Sequence, residues 1–155
     1  MSFRITGLPL TPFQHLFGQP DDSLAKHNAI RLMTDEASDF ADRIELRKPD
    51  PGETVLLINY VHQPANSPYQ ASHAIHVSER ATTPYHAIDE IPDVMRDTVL
   101  SLRGFDEAGM LIQRSLTEGG AVMIDINEMF RTEAVAYIHA HYAGAGCYAA
   151  RLDRA

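Results

Sequence analysis

The hydrophobic pattern of this chain is that of many short strands and few helices. Residues 54–62 (TVLLINYVH) form the longest β-branched, aliphatic run, which predicts a central strand covered on both faces. Residues 71–79 (ASHAIHVSE) predict a second strand, and residues 98–105 and 110–117 flank Asp106-Glu107-Ala108-Gly109, a hairpin turn. Residues 134–142 and 147–153 read as a final hairpin around Ala143-Gly144-Ala145-Gly146. Weaker strands are expected at 30–34 and 43–46, and a short edge strand at 2–7. Pro92 is expected to open one helical turn after an irregular stretch from Pro84.

Helical signals are sparse. Thr11-Pro12 resembles a helix start that Gly18 ends, and Pro20-Asp21-Asp22 opens another short helix. The best helix spans 119–132, where Val122, Ile126 and Met129 or Phe130 fall at helical spacing. Turns join most successive strands, so the sheet should be antiparallel. The predicted class is α+β, mainly antiparallel β-sheet with a few short helices and one longer helix near 119–132, in a single domain over residues 1–155.

The last twenty residues hold the densest chemistry. In residues 134–142, Tyr137, His139 and His141 share one face, because strand side chains alternate. If Tyr142 pairs with Cys147, each face of the hairpin mixes apolar and charged groups. If His141 pairs with Cys147, the faces sort cleanly. Ala136, Ile138, Ala140, Tyr148, Ala150 and Leu152 then lie on one side, and Tyr137, His139, His141, Cys147 and Arg151 on the other. The hydrophobic pattern selects the second register.

That face would bring a thiol, two imidazoles and a guanidinium together. Cys147, His139 and His141 are the candidate catalytic residues, since a neighbouring imidazolium or Arg stabilises a thiolate and His can move protons. Arg151 is the candidate anchor for an anionic ligand, because its fork suits a carboxylate or phosphate. Tyr137 joins it, with His62, Tyr69 and His73 from the Pro-rich loop after the central strand and the strand beyond it. The plainer alternative makes Cys147 a small core hydrophobe and Arg151 the ion-pair partner of a carboxylate such as Asp153.

His139 and His141, with Cys147, also have the residue types of a zinc site. His73 and His76 point to opposite faces of their strand, so at most one could join. No Cys-x-x-Cys or His-Glu-x-x-His motif supports a metal, and neither metal nor cofactor is assigned. The functional classes that stay open are an enzyme-like site for a small anionic ligand, a non-catalytic binding module, and a metal-binding protein using His139 and His141.

Bulk properties narrow the partners. The formal net charge is −8 and no basic run exceeds Arg47-Lys48, which argues against nucleic acid and against an anionic membrane surface. There is no P-loop, no G-x-G-x-x-G and no G-x-S-x-G elbow. One cysteine among 155 residues, and a start without the charged and apolar regions of a secretory signal, lead us to expect a cytoplasmic protein.

Three runs, NYVHQPANSPYQASHAIHV, LRGFDEAGM and AYIHAHYAGAGCYAARLDRA, resemble a bacterial family catalogued as a domain of unknown function, number twelve-oh-three. The resemblance extends along the chain. It implies a full-length bacterial domain of that family, and no activity or catalytic residue can be carried over from it.

Overall fold

The computed structural model describes residues 1–155. In chain order the elements are β1 (Phe3–Thr6), α1 (Thr11–Gln14), α2 (Asp21–Lys26), β2 (Ala29–Met33), β3 (Thr54–Gln63), β4 (Ala71–Ser78) and β5 (His86–Ile88). There follow α3 (Asp93–Arg96), β6 (Val99–Phe105), β7 (Leu111–Glu118), α4 (Ala121–Phe130), β8 (Tyr137–Tyr142) and β9 (Tyr148–Arg154). Six strands form one sheet in the order β5-β1-β9-β8-β6-β7, and three form a second in the order β2-β3-β4. All the pairings are antiparallel, as expected from the short connections. The α+β class is as expected, and no helix is long and apolar enough to cross a membrane.

Each sheet has its own core. In α4 the buried positions are Val122, Ile126, Met129 and Phe130, one helical stripe. That stripe covers Leu100 and Leu102 of β6, Ile138 and Ala140 of β8, and Ala150 and Leu152 of β9. The second core joins Leu56, Ile58, Ile75 and Val77 of the small sheet to Phe13, Leu16 and Leu24 from α1 and α2. Tyr148 of β9 belongs to this second core, so β9 ties the two sheets together.

Several expectations are corrected. The strand at the N-terminus is not an edge, because β5, in the stretch read as irregular, pairs with its outer side. Residues 43–46 are not a strand. Their backbone groups bond in turn to Leu8, His76 and Tyr85, three separate partners instead of one ladder. The strand at 54–62 is central in its sheet, but only one face is fully covered. Val55, Leu56 and Ile58 are buried, Leu57 is half-buried, and Asn59 and Val61 are exposed. With three strands and two short helices, the small sheet has enough cover for one side.

Candidate functional site

The polar face of the six-stranded sheet lies opposite α4, and the far end of β3 closes over it. A bulge in β3 between Tyr60 and Gln63 turns the strand end inward, and His62 and Gln63 are both buried. A second bulge lies in β9. Ala140 pairs with Ala150, but His141 pairs with Tyr148, which leaves Ala149 as the extra residue. The alternation of β9 therefore reverses at Ala149. Tyr148 joins the face of His139 and His141, and Ala149 enters the α4 core beside Ala150.

The result is a packed cluster of rings. His62 lies 4.9 Å from His141 between ring centroids and stacks on Tyr148 at 5.5 Å and 15°. His139 lies 6.2 Å from His62, 5.3 Å from Tyr148 and 5.2 Å from Phe105. All three imidazoles are at most 9% exposed. Burial lowers their pKa values, to about 4 for His62 and about 3 for His139 and His141, and the charges of Arg103 and, for His139, Arg151 push the same way. They are neutral at neutral pH.

Hydrogen bonding fixes one of them. His141 Nδ1 lies 3.0 Å from the Gly146 carbonyl oxygen, which only accepts, so Nδ1 carries the proton and Nε2 a bare lone pair. His141 Nε2, His62 Nδ1 and His139 Nδ1 are buried without a partner. Unpartnered buried nitrogens are costly, and three of them in one cluster mark it as unusual.

Arg103 completes the site and was not singled out in the sequence. On β6 it pairs with His139 on one side and with exposed Arg114 of β7 on the other. It is half-buried, burial lowers its pKa, and its only hydrogen bond is a long one of 3.4 Å to Ser101 Oγ. No carboxylate pairs with it. One signal was readable: in VLSLRGF an arginine shares its strand face with Ser101 and Phe105, with no acid among them.

Arg103, His62 and His141 line a cavity of about 290 Å³, with Gln63 and Gln70 as further polar walls and Pro68, Tyr69, Phe105 and Leu111 among the apolar ones. The loop wall is held in place: Ser67 Oγ donates to the Gly109 carbonyl at 2.9 Å. Gly109 has φ +76°, and a Cβ there would lie 2.3 Å from Ala65 Cβ, so only glycine lets the hairpin turn approach the loop this closely.

The other expected site residues separate. Tyr137 lies on the polar face, but its hydroxyl exchanges hydrogen bonds with Gln63 at 2.9 and 3.2 Å. Arg151 is the cross-strand partner of His139, stacks over the Tyr137 ring at 4.1 Å, and donates to both Asp153 oxygens. Tyr69 lines the cavity; His73 does not: it is half-buried, with Nδ1 beside the Ala74 carbonyl.

Cys147 is the main correction. It is not on the histidine face. The Tyr142 amide donates to its carbonyl, and its thiol accepts from buried Arg43 Nη2 at 3.2 Å. It lines a different cavity of about 540 Å³ with Tyr142, Phe40 and Lys48. That cavity is larger, but Asp39, Asp93 and Asp97 line it, which suits an anion poorly. The proposed Cys-His pairing is therefore not assembled. Nor is any group of three or more His, Cys, Asp or Glu side chains arranged to hold a metal ion.

No curated protein and no solved structure matches the chain. A family model does: the one described as Protein of unknown function (DUF1203) matches residues 40–154, a range that contains every residue of the cavity, and the chain belongs to that family.

Proposed function

We propose that this protein binds small anionic molecules in the cavity between its two sheets, with Arg103 as the anchoring cation. The observation that carries this reading is the unpaired state of that guanidinium. An arginine drawn into the protein is seldom left short of hydrogen-bond partners, and like charges directly across a strand pair destabilise it. Arg103 instead faces Arg114 and a group of neutral imidazoles. An anion in the cavity would supply the missing charge and accept a bidentate pair of hydrogen bonds.

Arg151, the anchor expected from the sequence, already serves Asp153 and therefore takes a supporting part beside His139. His62 and Tyr69 remain ligand contacts. The single cysteine supports a reducing, cytoplasmic setting.

A thermal-shift screen of small carboxylates and phosphates against wild type and Arg103→Gln tests the proposal. A ligand at about 100 times its Kd adds about 2.7 kcal/mol, a shift of several degrees. We expect hits with wild type that vanish with Arg103→Gln. Hits of equal size in both proteins, or none among either class of anion, would remove the proposal.

A catalytic version of the same site rests on the fixed tautomer of His141, whose Nε2 lone pair, though weakly basic, can orient a reacting hydroxyl or water by accepting its hydrogen bond. His141→Gln would then abolish turnover of a bound ligand while leaving its affinity within a few fold; equal loss of both would leave binding alone.

A further inference from the structure

The charge balance and the walls of the cavity define the ligand more narrowly. Resting on the anion-binding reading above, we infer that the site takes a small monocarboxylate with an apolar, flat body, such as an aryl carboxylate, and discriminates against phosphate esters.

The charged and titratable groups around the cavity come from every neighbouring element. β3 contributes His62, and β4 contributes His73 just outside the lining. β6 contributes Arg103, and β7 contributes Arg114, exposed beyond it. β8 contributes His139 and His141, and β9 contributes Arg151 with its charge matched by Asp153. Arg103 is the one unmatched full charge in the cavity wall.

One half-buried cation balances one negative charge. A phosphate monoester carries about 1.5 to 2 negative charges at neutral pH. Its second charge would face the buried imidazoles of His62 and His141, with no second cation in the cavity wall to match it. A carboxylate brings a single charge, and its two oxygens match the guanidinium fork.

The apolar part of the lining sets the rest of the molecule. Pro68, Tyr69, Phe105 and Leu111 face the cavity, and the Tyr69 and Phe105 rings stand edge to face at 73° with centroids 6.4 Å apart. Such a corner accepts a ring by stacking or edge contacts. A volume of about 290 Å³ lies at the small end of ligand pockets, so the body is one ring or a branched chain of similar size.

The test is calorimetric titration of the full chain with four probes: benzoate, acetate, benzamide and phenyl phosphate. Benzoate is expected to bind with Kd below about 1 mM. Benzamide keeps the ring but loses the charge, so it should bind about ten- to a hundredfold more weakly. Acetate loses the ring and should be weaker by at least about tenfold, given the apolar carbons removed. Phenyl phosphate should be weaker than benzoate.

Two variants separate the parts. Arg103→Gln should remove benzoate binding. Tyr69→Ser, at a position 40% exposed, should weaken benzoate more than acetate, since only benzoate brings a ring to the corner. If phenyl phosphate binds more tightly than benzoate and still depends on Arg103, the monocarboxylate inference falls while the anion site stands. Acetate binding as well as benzoate, or indifference of benzoate to Tyr69→Ser, likewise overturns the apolar body alone. Benzamide equalling benzoate, benzoate binding unchanged in Arg103→Gln, or no binding by any anionic probe overturns both readings.

Discussion

Acidification from pH 7.5 to 5.0 should destabilise this protein largely through its buried imidazoles. Burial is the main cause in each case, and it holds His62 at about 4 and His139 and His141 at about 3. An unfolded histidine titrates near 6.5. The folded pKa values lie below the unfolded one, so between them the unfolded chain binds protons that the folded chain refuses. Stability is therefore full above about pH 6.5 and falls as pH falls, until the folded groups themselves titrate near 3 to 4.

At pH 5.0 the unfolded state lies about 1.5 pH units below its titration point, which favours unfolding by about 2 kcal/mol per histidine. Three histidines give about 6 kcal/mol, a large share of the 5–15 kcal/mol typical of a domain. His76, lowered to about 4 by burial, adds in the same direction. The carboxylates of Glu45, Glu53 and Glu79, held low against desolvation by Arg47 and Arg31, contribute mainly below this window. Asp42, raised by burial, works the opposite way.

The assay is urea denaturation of wild type and His139→Gln at both pH values. Glutamine cannot take up the proton, so the variant should lose about 2 kcal/mol less than wild type between pH 7.5 and 5.0, whatever its stability at pH 7.5. The same loss in both proteins would mean that His139 is protonated in the folded state, and the account of a neutral cluster would be wrong.

Leu56→Ala should cost about 2–5 kcal/mol, because Leu56 is fully buried, while Leu57→Ala on the open face should cost less than half as much; equal denaturation midpoints for the two variants would contradict the one-sided covering of β3. Arg47→Ala should cost about 3–5 kcal/mol, since it strips Glu53, only 3% exposed, of a two-pronged partner at 2.9 and 3.0 Å; a chemical denaturation curve within 1 kcal/mol, by contrast roughly the value of an exposed pair, would make the bridge dispensable. Cys147→Ser should leave benzoate affinity unchanged, because the thiol lines a different cavity; a tenfold loss in titration would reconnect it to the site.

Much of the fold was legible because most of its elements follow simple periods. The α4 stripe, the β6–β7 hairpin and the β8–β9 hairpin appear where alternation and turn residues place them. What was hidden depends on partners distant in sequence. Nothing in residues 84–92 announces that a three-residue strand will cover β1, and nothing in residues 43–46 announces that their backbone will be shared among three segments. The histidine pair was legible from alternation. His62 was visible only as a polar residue at a strand end, and its place 4.9 Å from His141 is tertiary. Arg103 escaped because an arginine in a strand draws attention only once its lack of an acidic neighbour is known.

The decisive step lies in one residue, Ala149. A regular hairpin would keep Cys147 on the face of His141 and send Tyr148 towards α4, which is the sorting that the polar pattern favours. Alanine carries too little side chain to declare a face, so inserting it as a bulge costs the hydrophobic pattern almost nothing. The bulge exchanges the two neighbours. Cys147 moves to Arg43, and the Tyr148 ring is laid against His62 and joins the core of the small sheet. That ring packs against all three imidazoles and helps to shut water from them. Neutral imidazoles leave Arg103 as the only unmatched charge in the cavity. The proposed anion preference would thus follow from backbone register: had Tyr148 faced α4, the histidines would be better hydrated and able to carry charge near neutral pH, and a dianion would meet more than one cation.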